Sequence, residues 1–91
     1  MEELVETVRG LLNANFPGNN DVELEETIPG QKIGGSFVSP HFIHMEQTDR
    51  QKAVRDMLRN NLSLANFLSV GLILTLTPQE IASMQETMTA A

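Results

Sequence analysis

The sequence predicts an α+β fold in which helices cover one face of a small, three-stranded mixed sheet. Apolar residues recur at helical spacing in three segments, and they alternate with other residues, as in a strand, in three more. The six segments follow one another in the order αββαβα. The helix between the second and third strands predicts a crossover that makes those strands parallel, and such a sheet buries its apolar face beneath helices.

The first helix is predicted for Glu2–Asn15. Leu4, Val8 and Leu11 follow one another at intervals of three or four residues, which places them along one side of a helix. Two glutamates stand in the first turn, where the helix dipole favours negative charge. Phe16-Pro17-Gly18 then ends the helix.

Two strands follow, at Val22–Thr27 and Lys32–Ser39. Apolar and polar residues alternate in the first strand and Pro29-Gly30 supplies a turn, so the pair is expected to be an antiparallel hairpin. Gly34-Gly35 indicates a weak point or a bulge in the second strand. Pro40 has no N–H to donate to the ladder and ends it.

The central helix is predicted for Asp49–Asn60. Thr48 and Gln51 are expected to form a capping box, because the hydroxyl and the amide can each satisfy a backbone group at the helix start. Arg50 projects from the apolar face of this helix. Its charge must therefore reach solvent along a buried stem or pair with a carboxylate. After the helix, Ser63 is expected to cap one extra turn.

The third strand is predicted at Val70–Thr75, within the most apolar run of the chain. Such a run is typical of a strand covered on both faces, so Leu72 and Leu74 are expected in the core. Thr77-Pro78-Gln79-Glu80 is a capping box with proline at the first helical position. It opens a last helix from Pro78 to about Met88.

These segments share one core, because a chain of 91 residues (1–91) has room for a single domain. Met84 and Met88 are expected to pack in that core rather than to form an adaptable partner surface. The other predicted core residues are Leu4, Val8, Leu11, Leu24, Phe37, Val54, Met57, Leu58, Leu72, Leu74 and Ile81.

The charge of the chain is unevenly distributed. The net charge of −6 argues against a surface that binds phosphates throughout, although four of the six basic residues lie close together in the central helix. Lys52, Arg55 and Arg59 share its polar face and form a basic patch. The simplest interpretation is a solvated face partly neutralised by Asp49 and Asp56, with Lys52 and Asp56 one helical turn apart.

The sequence carries no signal for an oxidising compartment, for targeting or for a membrane. The chain contains no cysteine, which excludes disulfides, thiolate metal sites and thiol nucleophiles. Its first residues are unlike a targeting segment, and no apolar run approaches the ~18 residues of a membrane span. A cytoplasmic protein with no membrane partner is therefore expected.

Few residues could carry chemistry. His41 and His44, with Glu46 nearby, could hold a metal, but two loop histidines without a third ligand are more typical of packing or exposure. Ser39 next to His41 has neither a nucleophile elbow nor an orienting residue. The sequence thus predicts no catalytic residue and no enzyme.

Three motifs, in this order, resemble the BolA-like family. They are Val38-Ser39-Pro40-x-Phe42-x-x-Met45, then Arg50-Gln51-x-x-Val54 with Leu58, and then Leu74-Thr75-Leu76-Thr77-Pro78-x-Glu80. The similarity covers nearly the whole chain. It implies a fold like the type II KH domain and a function in binding. The partner it implies is a monothiol glutaredoxin that shares an iron–sulfur cluster or, in some members, DNA.

The chain departs from this family at both cluster-ligand positions. The ligand histidine of the family, early in the third strand, falls on Ser69, and serine cannot replace imidazole as an iron ligand. The second ligand, a cysteine or histidine between the first two strands, has no counterpart in Thr27–Lys32. His41 and His44 are expected at the opposite edge of the sheet, because the second and third strands are parallel. No cofactor is therefore expected.

The expected function is that of a non-enzymatic, BolA-like protein-interaction module, with a monothiol glutaredoxin as the implied partner and no cluster ligand of its own. The alternative is a nucleic-acid-binding regulator that uses the basic patch. RNA binding by the KH route would require a Gly-x-x-Gly loop between helices, and the sequence has none. The candidate residues for binding a nucleic acid or a protein partner are Lys52, Arg55, Arg59 and Ser69.

Overall fold

The computed structural model confirms the α+β fold and describes the backbone of residues 1–90 and the side chains of residues 1–85. Its helices are α1 (Glu2–Asn15), α2 (Gln47–Asn61), α3 (Leu64–Leu68) and α4 (Pro78–Ala90), with a 3₁₀ turn at Pro40–Phe42. Its strands are β1 (Asp21–Ile28), β2 (Lys32–Val38) and β3 (Val70–Leu76). Each predicted element is present, with ends that differ by at most two residues.

The sheet has the predicted topology, with strand order β1-β2-β3. The hairpin strands β1 and β2 are antiparallel, and β3 runs parallel to β2 after the α2–α3 crossover. Val22, Phe37 and Thr75 pair across the three strands. Their side chains point to the inner face of the sheet, on which α1 and α2 pack.

The glycine pair in β2 marks an irregularity, as predicted, since the β2–β3 register shifts between Ile33 and Gly35. Gly35 has a φ of +154°, and a Cβ there would lie 1.9 Å from the Glu23 carbonyl oxygen. A Cβ on Gly34 would lie 2.6 Å from the Leu72 carbonyl oxygen. Glycine is therefore required for the close approach of both neighbouring strands.

The core lies between the inner face of the sheet and the first two helices. Three phenylalanine rings form its centre, with Phe37 and Phe42 5.4 Å apart and Phe16 5.6 Å from each. Of the predicted core residues, Leu4, Val8, Phe37, Val54 and Leu58 are buried, Leu11, Leu24 and Met57 pack partly buried against them, and Ile81 is half-buried. The prediction omitted Leu12, Phe16, Ile33, Phe42 and Ile73, which are also buried.

The predicted burial of Leu72 and Leu74 is wrong. Their side chains remain 66% and 49% exposed, whereas Ile73 and Thr75 are buried. Both faces of β3 carry apolar residues, so the alternation did not determine its orientation. Thr75 can occupy the inner face because Gln47 and Gln51 satisfy its hydroxyl, which removes the cost of burying a polar group.

Two further predictions about helices are wrong. α2 begins at Gln47 with no side-chain cap, so Thr48 does not form the expected capping box. Gln51 instead donates to the Ile73 carbonyl oxygen at 2.8 Å, because a bond that satisfies a strand carbonyl competes with local capping. Met84 is 51% exposed rather than buried, and the Met88 side chain lies outside the described residues.

The other two capping predictions are confirmed. The Thr77 hydroxyl accepts from the Glu80 backbone N–H at 3.2 Å, and the Glu80 carboxylate accepts from the Thr77 N–H at 2.7 Å. At α3, the Ser63 hydroxyl accepts from the Asn66 N–H at 3.2 Å. Within residues 1–90, no helix combines the length and the apolar character needed to cross a membrane.

Candidate functional site

Ser69 lies between α3 and β3, beside the first residue pairs of β2. Its hydroxyl donates to the Ala65 carbonyl oxygen at 3.2 Å, and its own carbonyl oxygen accepts from the Ile33 N–H at 2.9 Å. The side chain is half-buried. Ser69 therefore terminates α3 and joins it to the sheet.

The turn between β1 and β2 lies at the same end of the sheet as Ser69. Lys32, the first residue of β2, donates from Nζ to the Leu68 carbonyl oxygen. The structure thus brings together the two positions that the BolA resemblance associates with cluster ligation. Ser69 at the first position and residues Thr27–Lys32 around the second offer neither an imidazole nor a thiolate, which are the ligands suited to iron in a cluster.

Exposed apolar side chains surround this end of the sheet. Ile28 at the end of β1 is 47% exposed, and Leu64 and Leu68 on α3 are 72% and 57% exposed. We call Ile28, Leu64 and Leu68 the end patch. No motif in the sequence predicted this patch, although Leu64 and Leu68 are four residues apart and therefore share one face of α3, which is a recognisable signal.

His41 and His44 lie at the opposite end of the sheet, as predicted. They follow the carboxyl end of β2, and the seven residues of that strand span about 20 Å. The exposed His41 ring packs edge-on against Phe16, with centroids 5.3 Å apart. Among the side chains of residues 1–85, no group of three or more His, Cys, Asp or Glu residues could hold a metal ion.

The basic patch is a solvent-exposed face of α2, as expected. Lys52, Arg55 and Arg59 are all exposed, and none forms an ion pair with a carboxylate in the described part of the chain. The predicted partial neutralisation by Asp49 and Asp56 therefore involves no direct contact. Arg59 instead lies over the Phe67 ring, with its guanidinium carbon 5.6 Å from the centroid.

A groove of about 230 Å³ separates α2 from β3, next to the basic patch. Its walls are mostly apolar, and Arg55 and Gln51 contribute polar groups. The remaining lining residues are Val54, Leu58, Phe67, Val70, Gly71, Leu72 and Ile73. The groove therefore combines an apolar floor with positive charge at its side.

Arg50 connects α2 to both β3 and α4. The side chain is buried, and its Nη1 donates to the Glu80 carboxylate at 2.7 Å and to the Thr75 carbonyl oxygen at 3.2 Å. Its Nε donates to the Met45 carbonyl oxygen at 3.0 Å. These contacts answer the question that the sequence left open, since Arg50 pairs with a carboxylate.

The position of Glu80 affects its ionisation. The hydrogen bond from Arg50 is the largest influence and the backbone N–H of Thr77 the next, and together they lower the pKa of the Glu80 carboxyl below its usual value of 4.5. Glu80 is therefore both a capping-box residue of α4 and the counterion of a buried arginine.

Comparisons of the whole chain with family models, with curated protein sequences and with solved structures found no match.

Proposed function

We propose that this chain is a non-enzymatic, BolA-like protein-interaction domain that binds a protein partner through the end patch. The implied partner is a monothiol glutaredoxin in the cytoplasm, and the chain contributes no ligand to its iron–sulfur cluster. The observation that carries the proposal is the group of exposed apolar side chains, Ile28, Leu64 and Leu68, beside Ser69.

The energetics of this surface favour a protein partner over a small ligand. Leu64 and Leu68 are exposed on one side of the short helix α3, so a complementary protein surface can bury both at once. Burial of apolar area contributes about 25 cal/mol per Å². A handful of such side chains at the centre of an interface can dominate its affinity.

In this proposal, Ser69 stands where the resemblance implies a cluster ligand, but it lacks the chemistry of one. Ser69 uses its hydroxyl to end α3, and Lys32 uses its ammonium to hold Leu68, so both side chains stabilise the docking end itself. Binding without ligation follows as the simplest function of this end.

The test measures calorimetric binding of a cluster-free monothiol glutaredoxin to the wild-type chain and to Leu64→Ser/Leu68→Ser. We expect the double variant to weaken binding about tenfold or more, since 1.4 kcal/mol of lost burial corresponds to that factor. The matched control is Leu72→Ser/Leu74→Ser, which removes two exposed leucines elsewhere. Equal affinity of the wild type and the end-patch variant, or no binding by either, would refute the proposal.

Nucleic-acid binding is a second candidate, favoured by the groove beside the basic patch. Arg55 lines an apolar groove that could take an unstacked base, and Arg59 and Phe67 already form a cation–π pair at its side. The net charge of −6 opposes this function.

The decisive measurement is the affinity for a single-stranded oligonucleotide as a function of salt. A function in nucleic-acid binding requires affinity that persists near 0.15 M salt and that Lys52→Gln/Arg55→Gln removes. Arg9→Gln is the control, because Arg9 pairs with Glu6 on α1. Binding that disappears at that salt in the wild type would eliminate this candidate.

A further inference from the structure

The outer face of the sheet, opposite α1 and α2, is divided into an apolar and an acidic half. Leu72, Leu74 and Leu76 project from β3 on this side, with Leu72 and Leu74 largely exposed. We call them the leucine strip. Asp21, Glu23 and Glu25 project from β1 on the same side and are all exposed, and we call them the acidic strip.

The pairing register confirms that the two strips share one face. Glu23 pairs with Ser36, which pairs with Leu74, and Asp21 pairs with Val38, which pairs with Leu76. Cross-strand partners project to the same side of a sheet. Gly34, Ser36 and Val38 of β2 therefore form the floor between the strips, and the first two have small side chains or none.

The spacing of this face matches the dimensions of a helix. The strands β1 and β3 are separated by two inter-strand distances, about 10 Å in all. An α-helix with its side chains is about 10 Å across. A helix lying along β2 can thus contact the leucine strip on one flank and the acidic strip on the other.

The charges of this face specify the chemistry of the partner. No carboxylate of the acidic strip has an ion-pair partner among the described side chains. Lys32, the one cation of β2, donates instead to the Leu68 carbonyl oxygen. We propose that the outer face binds an amphipathic helix of a partner protein, with leucine-like residues against the leucine strip and lysines or arginines against the acidic strip.

A second copy of the chain is a poorer occupant. Two outer faces related by a two-fold axis parallel to the strands would place each leucine strip on an acidic strip. An axis perpendicular to the strands would place the two acidic strips on each other. Both arrangements bury unpaired carboxylates or bring like charges together, whereas a basic helix satisfies the leucines and the acids at once.

This surface extends the proposed function to a second binding region, and it does not depend on the end patch. The probe is a labelled synthetic helix of roughly 18 residues, with leucines along one side and lysines along one flank of them. A second peptide carries glutamates in place of the lysines. Binding is followed by fluorescence anisotropy, with circular dichroism of each protein variant to verify its fold.

We expect the lysine peptide to bind the wild type. The Leu72→Ser/Leu74→Ser variant should bind the same peptide about tenfold more weakly. Glu23→Gln/Glu25→Gln should weaken it several-fold and flatten its salt dependence. The matched controls, Leu64→Ser/Leu68→Ser and Glu2→Gln/Glu3→Gln, should change the affinity less than about twofold, since they alter leucines and acids on other surfaces. The glutamate peptide should bind about tenfold more weakly than the lysine peptide.

Three results would overturn the inference. In the first, the control variants weaken binding of the lysine peptide as much as the outer-face variants do, which would indicate non-specific attraction. Another is failure of the lysine peptide to bind. The third is a wild-type dimer in sedimentation that Leu72→Ser/Leu74→Ser converts to a monomer, which would assign the face to self-association. The glutaredoxin measurement uses the same variants in the opposite roles, so each proposal can fail separately.

Discussion

Arg50 is charged and buried. Its polar contacts reach three different parts of the fold. Its nitrogens donate to the carbonyl oxygens of Met45 and Thr75 and to the Glu80 carboxylate, and its guanidinium carbon lies 5.9 Å from the Phe42 ring centroid. Such a charge is tolerated only when it is paired and hydrogen-bonded. The residue therefore joins the loop before α2, strand β3 and helix α4.

Replacing this arginine should be costly. We expect Arg50→Ala to lower the free energy of unfolding by about 2–4 kcal/mol, because it removes a donor from the Met45 and Thr75 carbonyl oxygens and leaves Glu80 without its counterion. Urea denaturation measures the loss, and Arg55→Ala is the control, expected within about 0.5 kcal/mol because Arg55 is exposed. Similar small losses for both variants would show that the Arg50 contacts are dispensable.

The Glu80 carboxyl should make stability depend on pH. Its pKa is lowered in the folded state by Arg50 and Thr77, so between the folded and unfolded pKa values the unfolded state binds more protons. The stabilisation is fully present above the unfolded value, near 4.5, and is lost as the pH falls below it through the folded value. The size of the effect is limited because the Glu80 side chain remains 41% exposed.

The corresponding test compares urea midpoints of the wild type and Glu80→Gln between neutral and acidic pH. We expect the wild type to be more stable at neutral pH and the difference to shrink below pH 4.5. Glu25→Gln, on the exposed side of β1, controls for the loss of one negative charge. A difference between the wild type and Glu80→Gln that stays constant across the range would contradict the assigned pairing.

Two leucines offer a direct test of which side chains form the core. Leu58 is 2% exposed and Leu72 is 66% exposed. We expect Leu58→Ala to cost about 2–5 kcal/mol of unfolding free energy and Leu72→Ala less than about 1. Thermal or urea unfolding of the two variants gives the comparison. A larger loss for Leu72→Ala than for Leu58→Ala would favour the orientation of β3 that the sequence predicted, with Leu72 in the core.

At the scale of the elements, α2 closes the free edge of β3. The backbone of Leu76 faces β2, since its carbonyl oxygen accepts from the Ser39 N–H, so alternate residues of β3 turn their carbonyls outward. Gln51 donates to Ile73 and Gln47 donates to Thr75 at that outer edge, both at 2.8 Å. An edge covered in this way is protected from pairing with another strand.

The glutamines of α2 should therefore matter more than its expected cap. We expect Gln51→Ala to cost about 1–2 kcal/mol, because the Ile73 carbonyl loses its donor. Thr48→Ala should lower the free energy of unfolding by less than about 0.5 kcal/mol, since Thr48 does not cap α2. Thr77→Ala should lower it by about 1 kcal/mol, because Thr77 does cap α4. Chemical denaturation ranks the three variants. A loss of stability in Thr48→Ala as large as that in Thr77→Ala would favour the predicted capping box of Thr48 and Gln51.

At the scale of the whole molecule, the parallel pairing of β2 and β3 puts the two candidate positions for an iron ligand at opposite ends of the sheet. Ser69 lies at one end of the sheet and the two loop histidines lie at the other. Mixing the chain with a cluster-loaded monothiol glutaredoxin should therefore leave the absorption and EPR spectra of the cluster unchanged, and His41→Ala/His44→Ala should have no effect.

The same geometry predicts a gain of function. Ser69→His places an imidazole where the resemblance implies a ligand, so this variant should change the cluster spectrum on mixing while the wild type does not. Asn60→His, at an exposed position near the end of α2, is the control and should behave as the wild type. A new spectrum with the wild type that disappears in His41→Ala/His44→Ala would show that ligation had moved to the other end of the sheet.

The sequence by itself determined the αββαβα order, the parallel third strand, the glycine irregularity in β2 and the capping box at Thr77. Each depends on interactions between near neighbours in the chain or on the fixed handedness of crossovers, which local patterns encode. The separation of Ser69 from His41 and His44 followed from the same topology.

Only the tertiary structure decided which face of β3 is buried, where α2 begins and which carboxylate pairs with Arg50. In β3, alternation of apolar residues on both faces leaves two equivalent orientations. The observed one is stabilised by long-range hydrogen bonds of the Thr75 hydroxyl, which donates to the Gln47 side chain and accepts from the Gln51 side chain. Arg50 and Glu80 are thirty residues apart, and no local pattern links them. Burial and long-range pairing depend on the whole chain having folded, so the outer face became visible only in the assembled structure, whereas the spacing of Leu64 and Leu68 already marked part of the end patch in the sequence.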